Sequence, residues 1–156
     1  MAIYNFSWVI QNKLAGSAMP GKSSIQKEYI LSDLMDLKAK GIDRLLSLND
    51  MAISFSSLCS KANLKWMYYP IPDFGVPTNL DTFRETIDSS LECMNQDESL
   101  CVHCYAGIGR TGVVLACIAG KYYSLSGPKA VDLIRSKRTA IETTTQIKFI
   151  YDFLDT

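Results

Sequence analysis

The sequence has a single histidine, no excess of either charge, and no apolar run near the roughly 20 residues of a membrane span. Each shortage excludes something. One histidine (His103), with no second cysteine pair to accompany Cys101-x-x-Cys104, makes a zinc site of mixed ligands hard to assemble. It also removes schemes in which separate histidines do separate jobs. Sixteen basic residues balance sixteen acidic ones, so no overall field draws the chain to nucleic acid or to an acidic membrane, and neither is expected as a partner. Five cysteines are an odd number, and Met1-Ala2-Ile3-Tyr4-Asn5 has neither the charged start of a signal peptide nor a glycine at position 2 for myristoylation. Together these predict reduced thiols and a cytoplasmic setting rather than a disulfide framework. Hydrophobic residues make up 47% and charged ones 21%, an ordinary globular balance. A chain of this length hides about 70% of its unfolded surface, and one domain over residues 1–156 is expected.

Strand-like and helix-like stretches alternate. Residues 6–10, 42–48, 66–71 and 99–103 read as strands. Ser23 or Ser24 is placed to cap a helix to Lys40 that Gly41 ends, and residues 51–62 are weakly helical. From Thr78 or Asn79, the residues Leu80, Phe83, Ile87, Leu91 and Met94 follow the helical period. Val113 to Leu125 is apolar nearly all round and reads as a central buried helix. Two more helices follow, from Pro128 to Arg138 and from Thr144 to Leu154. The pattern predicts an α/β fold with a central, mostly parallel sheet flanked by helices.

Three glycine motifs compete for the chemistry. Gly16-Ser-Ala-Met-Pro-Gly-Lys-Ser23 matches the Walker A pattern of a P-loop nucleotide triphosphatase, with residues 45–50 as its second strand. Gly16 is, however, remote from the last clear strand residue, Ile10, and Pro20 removes an N–H donor from the supposed cradle. Gly107-Ile-Gly-Arg-Thr-Gly112 matches the dinucleotide fingerprint, yet no second strand ending in an acidic residue follows it. Cys104-Tyr105-Ala106-Gly107-Ile108-Gly109-Arg110 explains more. Between a strand and a helix, its backbone N–H groups and the helix N-terminus can cradle one tetrahedral oxyanion. The glycines permit the tight turn, the positive surroundings favour a thiolate on Cys104, and Arg110 suits bidentate binding of phosphoryl oxygens. A nucleophile and an anion cradle in one turn point to phosphate-ester chemistry.

The string His103-Cys104-x-x-Gly107-x-x-Arg110-Thr111-Gly112 resembles the signature loop of the cysteine-based protein tyrosine phosphatases. Ile71-Pro72-Asp73-Phe74-Gly75-Val76-Pro77 looks like that family's general-acid loop. Ser7-Trp8-Val9 with Leu14 to Pro20, and Ile141 to Gln146, resemble segments of its small atypical dual-specificity, archaeal-type subgroup. The resemblance covers nearly the whole chain and implies the tyrosine phosphatase fold. It implies a nucleophilic Cys104, a phosphoryl-binding Arg110 within the loop Tyr105–Arg110, and Asp73 as the acid, with Asp81 the next carboxylate along the chain. Gln146 resembles the glutamine that positions hydrolytic water, and Glu142 is a supporting match. One departure precedes them: Arg138-Thr139-Ala140 stands where the subgroup often has Arg-Pro-Gly.

Thr111 follows the arginine, where its hydroxyl can donate to the sulfur. Side chains alternate along a strand, so His103 points away from Cys104 and braces the loop, which counts against a Cys–His protease. Three extended residues span about 10 Å, beyond the roughly 7 Å limit for a disulfide, so Cys101 reads as core. Tyr105 and Ile108 are placed to tune the pocket. No cofactor or metal is implied. The expected substrates are phosphorylated proteins carrying phosphotyrosine, with phosphoserine and phosphothreonine as further targets. The alternatives are a phosphoinositide phosphatase, against which the loop's lack of lysine counts, an RNA 5′-phosphatase, a silent phosphate-binding module, and the P-loop nucleotide triphosphatase. Oligomeric state is left open.

Overall fold

Short apolar stretches give five strands and longer periodic ones give six helices in the computed structural model, which describes residues 2–155. The strands are β1 (Ser7–Ile10), β2 (Leu14–Ser17), β3 (Arg44–Ser47), β4 (Lys65–Tyr68) and β5 (Leu100–His103). The helices are α1 (Lys27–Ala39), α2 (Phe55–Lys61), α3 (Leu80–Asn95), α4 (Gly109–Tyr123), α5 (Gly127–Lys137) and α6 (Thr144–Leu154). One sheet runs β1-β2-β5-β3-β4. Only β1 is antiparallel to its neighbour, and the rest of the ladder is parallel. The mostly parallel α/β sheet expected from the sequence is therefore present.

The sheet separates two hydrophobic clusters. On one side Leu34 and Leu37 of α1 and Phe55, Leu58 and Cys59 of α2 pack together. On the other, α4 lies among the remaining helices, with Val113, Val114, Leu115 and Ile118 fully buried against Phe83, Ile134, Ile150 and Phe153. This explains why α4 is apolar all round. Helix caps follow local chemistry: Asn79 accepts from the Thr82 N–H at 3.1 Å, Ser126 caps α5, and Thr143 with Gln146 forms a capping box on α6.

Three expectations require correction. β2 reads as loop because Leu-Ala-Gly-Ser has none of the β-branched or aromatic residues that mark strands. It forms because Asn12, at φ +62°, turns the chain back on β1. Gly16 thus lies on a strand, and its remoteness from one was not a valid objection to the Walker motif. The motif lacks a phosphate cradle for other reasons. The Gly21 N–H donates to the Asp33 carboxylate at 2.7 Å, the Lys22 N–H to the Met19 carbonyl at 3.0 Å, and the following helix starts only at Lys27. Neither Ser23 nor Ser24 caps α1: Gln26 occupies the cap, and the Ser24 hydroxyl instead accepts from the Gln26 N–H. Finally, α4 begins at Gly109, four residues before Val113, so Arg110 and Thr111 lie in its first turn. Among the described residues no helix is long and apolar enough to cross a membrane.

Candidate active site

Residues 104–108 link the C-terminal end of β5 to the N-terminus of α4, where open α/β sheets bind ligands and where helix N–H groups and the dipole favour an anion. The loop is held from behind. The Met19 N–H donates to the Tyr105 carbonyl at 3.0 Å, Asn5 Nδ2 to the Ala106 carbonyl at 3.0 Å, and Arg138 Nη2 to the Gly107 carbonyl at 2.8 Å. In a planar trans peptide the N–H points opposite to the C=O. Fixing these three carbonyls behind the loop therefore turns the N–H groups of Ala106, Gly107 and Ile108 to its front. Among the described residues, none of the N–H groups of residues 105–108 has an acceptor. Gly107 is indispensable to this shape: its φ is +81°, and a Cβ would come within 2.5 Å of the Ser17 carbonyl.

Cys104 is buried at the base, and its sulfur accepts a hydrogen bond from the Thr111 hydroxyl at 3.0 Å. Arg110, also buried, donates from Nη1 to the Ile71 carbonyl at 3.0 Å and places Nη2 3.3 Å from Asp73 Oδ1. Asp73, Ile71, Pro72, Arg110 and Asp50 line one cavity of about 450 Å³. The Asp73 carboxylate is oriented by the Phe74 N–H at 2.9 Å within a turn that the Gly75 N–H closes onto the Pro72 carbonyl. Phe74 takes φ +59° there, a left-handed conformation unusual for an aromatic residue. Asp50 was not anticipated as a site residue; its only signal was its position just past β3. Asp81 is remote in chemistry from this cavity, 93% exposed on α3 and paired with Arg84.

The other cysteines are inert by comparison. Burial pushes the thiols of Cys59 and Cys101 up to about 12 and raises those of Cys93 and Cys117. Cys101 is a free thiol in the core.

His103 lies behind the loop, as strand alternation requires. Trp66 Nε1 donates to Ser47 Oγ, whose own hydrogen then goes to His103 Nε2, leaving Nδ1–H to donate to the Cys104 carbonyl at 3.1 Å. Burial pushes the imidazole down to about 4; the charge of Arg110 adds to this, and the Cys104 carbonyl opposes it. The folded state thus prefers neutral His103, whereas in the unfolded chain it titrates near 6.5. Between these values the unfolded chain binds the extra proton, so stability falls as pH drops from about 6.5 to about 4 and levels off below. His103→Gln should remove this contribution. The stability gap between wild type and variant is expected to narrow by up to about 3 kcal/mol between pH 7 and pH 4 in urea titrations. A gap independent of pH would contradict a buried neutral imidazole.

Gln146 is buried at the start of α6. Its Oε1 accepts from the N–H groups of Glu142 (2.8 Å) and Thr143 (3.2 Å), and Nε2 donates to the Gly75 carbonyl at 3.2 Å, which ties the Asp73 loop to α6. The Glu142 carboxylate lies against Gly109, where any side chain would collide with it. The Thr139-Ala140 departure forms an anchored loop: Arg135 donates to the Ala140 and Ile141 carbonyls, and the Ile141 N–H donates to the Ile108 carbonyl. Tyr105 is half exposed, with Lys22 Nζ 4.9 Å from its ring centroid, and Ile108 and Ala106 line a neighbouring cavity. Arg138 and Asn5 were not foreseen behind the loop. Their contacts span 31 and 101 residues of sequence, which no local pattern records.

A family model described as polymorphic toxin system, DSP-PTPase phosphatase, matches residues 15–121, a stretch that includes Asp73, Cys104 and Arg110 but ends before Arg138 and Gln146. Cyclin-dependent kinase inhibitor 3 of Rattus norvegicus is 28% identical over 150 residues, which is 88% of this chain and 70% of that protein. Two solved structures share the fold. Kinase associated phosphatase, with a serine substituted for its catalytic-site cysteine, superposes with a TM-score of 0.82 at 22% identity over 99% of this chain and 96% of that one. Tk-PTP in its active form gives 0.79 at 22% identity over 97% of both chains.

Proposed function

The chain belongs to the DSP-PTPase phosphatase family so matched, and on that premise we propose that it hydrolyses phosphotyrosine, and also phosphoserine and phosphothreonine, on proteins through a phosphocysteine intermediate. One observation carries the reading: a sulfur that accepts the Thr111 hydroxyl at the base of a loop whose N–H groups face its front and which ends in an arginine paired with a carboxylate.

The chemistry follows from these positions. The Cys104 thiolate attacks phosphorus while the loop N–H groups and Arg110 hold the equatorial oxygens as charge redistributes. Phosphoryl oxygens would replace Asp73 as partners of Arg110 Nη2. The P–O bond to the leaving group breaks, and Asp73, protonated for this step, gives its proton to the departing oxygen. Water then attacks phosphorus and the P–S bond breaks. The Asp73 carboxylate takes the water proton, and the Thr111 hydroxyl stabilises the departing thiolate. Nothing in this sequence requires a metal.

A rate series tests the substrate class. Phosphotyrosine peptides are expected to be hydrolysed in EDTA, inhibited by vanadate, and to exceed phosphoinositides and triphosphate-ended RNA in kcat/KM. Faster turnover of either alternative would overturn the protein-substrate reading. Magnesium-dependent ATP hydrolysis lost in Lys22→Ala would overturn the cysteine mechanism itself.

A further inference from the structure

Arg138 follows α5, outside the catalytic set above, and is buried where, among the described residues, no carboxylate pairs with it. The residue is 7% exposed. Nη1 donates to Ser7 Oγ at 2.8 Å, and Nη2 donates to the Asn5 carbonyl at 2.9 Å and the Gly107 carbonyl at 2.8 Å. Nε is buried without an acceptor, and none of the ion pairs among the described residues includes this side chain. All three partners are neutral. Room for the guanidinium comes from Gly16: a Cβ there would approach Nη1 to 2.8 Å and Cζ to 2.9 Å. The first glycine of the misleading Walker match is therefore the seat of this arginine.

A buried cation with only neutral partners is costly unless an anion forms nearby. Burial lowers the pKa of Arg138, while negative charge on Cys101 or Cys104 would raise it. Burial holds the Cys101 thiol protonated, up to about 12. That leaves the anion of the catalytic loop.

We propose that Arg138 is a positioning residue: from behind the loop it fixes the Gly107 carbonyl, so that the Ile108 N–H faces the phosphoryl group, and its charge is answered by the Cys104 thiolate and the bound phosphoryl dianion. This rests on the reading of Cys104 as the nucleophile. The charged and titratable groups around the loop are then Arg110 with its partner Asp73, Asp50 in the same cavity, the Glu142 carboxylate against Gly109, Lys22 over the Tyr105 ring, neutral His103 behind the loop, and Arg138. Of the three cations among them, Arg110 and Arg138 are the buried ones.

Two substitutions separate charge from geometry. Arg138→Met removes both, whereas Arg138→Lys keeps the charge and loses the planar fork. On an aryl phosphate, Arg138→Met is expected to lose about 10²-fold in kcat/KM through misplacement of the loop. It should also weaken vanadate binding by calorimetry and move the acidic limb of the kcat/KM profile to higher pH. Arg138→Lys should return that limb towards its wild-type position while vanadate affinity stays low. Gly16→Ala, which keeps the arginine but displaces it, should weaken vanadate binding as Arg138→Met does, and it carries the test if Arg138→Met does not fold. A merely structural brace would lower the melting temperature while the acidic limb and the vanadate affinity of folded protein stayed at wild-type values, and that outcome overturns the proposal. If wild type itself neither hydrolyses aryl phosphates nor binds vanadate, the reading of the loop fails instead.

Discussion

Cys104→Ser is expected to abolish turnover of aryl phosphates, by roughly 10⁴-fold or more, while vanadate and phosphate still bind. The two halves of this result have separate physical origins. Serine keeps a small polar group under the loop, so the N–H groups of residues 106–108 and the guanidinium of Arg110 stay in place. Its hydroxyl is a far weaker acid than a thiol, however, and no base is positioned to activate it. His103 faces away, bonded to Ser47 and to the Cys104 carbonyl. Asp73 is engaged with Arg110. The binding half is as important as the lost rate: loss of both would signal a collapsed loop rather than a missing nucleophile.

Asp73→Asn is expected to lose about 10²–10⁴-fold on phosphotyrosine, because tyrosyl oxygen leaves as a basic anion unless it is protonated in the transition state. On an activated aryl phosphate, whose phenolate leaves unaided, the loss should be much smaller. The basic limb of the pH–rate profile reports deprotonation of the acid and should flatten in this variant, while the acidic limb, which reports ionisation of the nucleophile, remains. Equal losses on good and poor leaving groups, with the basic limb intact, would reduce Asp73 to a turn residue. Asp50, which lines the same cavity, is then the carboxylate to replace, since Asp81 is exposed on α3 beside Arg84.

What could be read from the sequence was local. The loop between β5 and α4 declared itself because cysteine, glycines and arginine are contiguous, and the Thr111–Cys104 bond and the rearward turn of His103 follow from helix and strand geometry within a few residues. Asn79 caps α3 where its side chain predicted, whereas the Thr143 cap on α6 was not foreseen. Failures occurred where tertiary contacts decide. β2 exists because it pairs with β1 and β5, not because Leu-Ala-Gly-Ser favours a strand. Gly16 serves Arg138, 122 positions later in a different element, rather than a nucleotide. The hydroxyls of Ser23 and Ser24 offered caps, but the chain between β2 and α1 is fixed instead by the buried Asp33 carboxylate on the Gly21 N–H. Gln146 was singled out by resemblance, whereas its bonds to the Gly75 carbonyl and to the N–H groups of residues 142 and 143 required the fold.

The central claim is that phosphate passes through the sulfur of Cys104. Rapid acid quenching during turnover of a phosphotyrosine peptide, followed by mass spectrometry of the digested protein, tests it directly. The account predicts one phosphoryl group on the Cys104 peptide, formed at a rate no slower than turnover, and absent in Cys104→Ser. Steady turnover with no phosphorylated cysteine at any quench time, in Asp73→Asn as well as wild type, or a phosphoryl group on another residue, would contradict it.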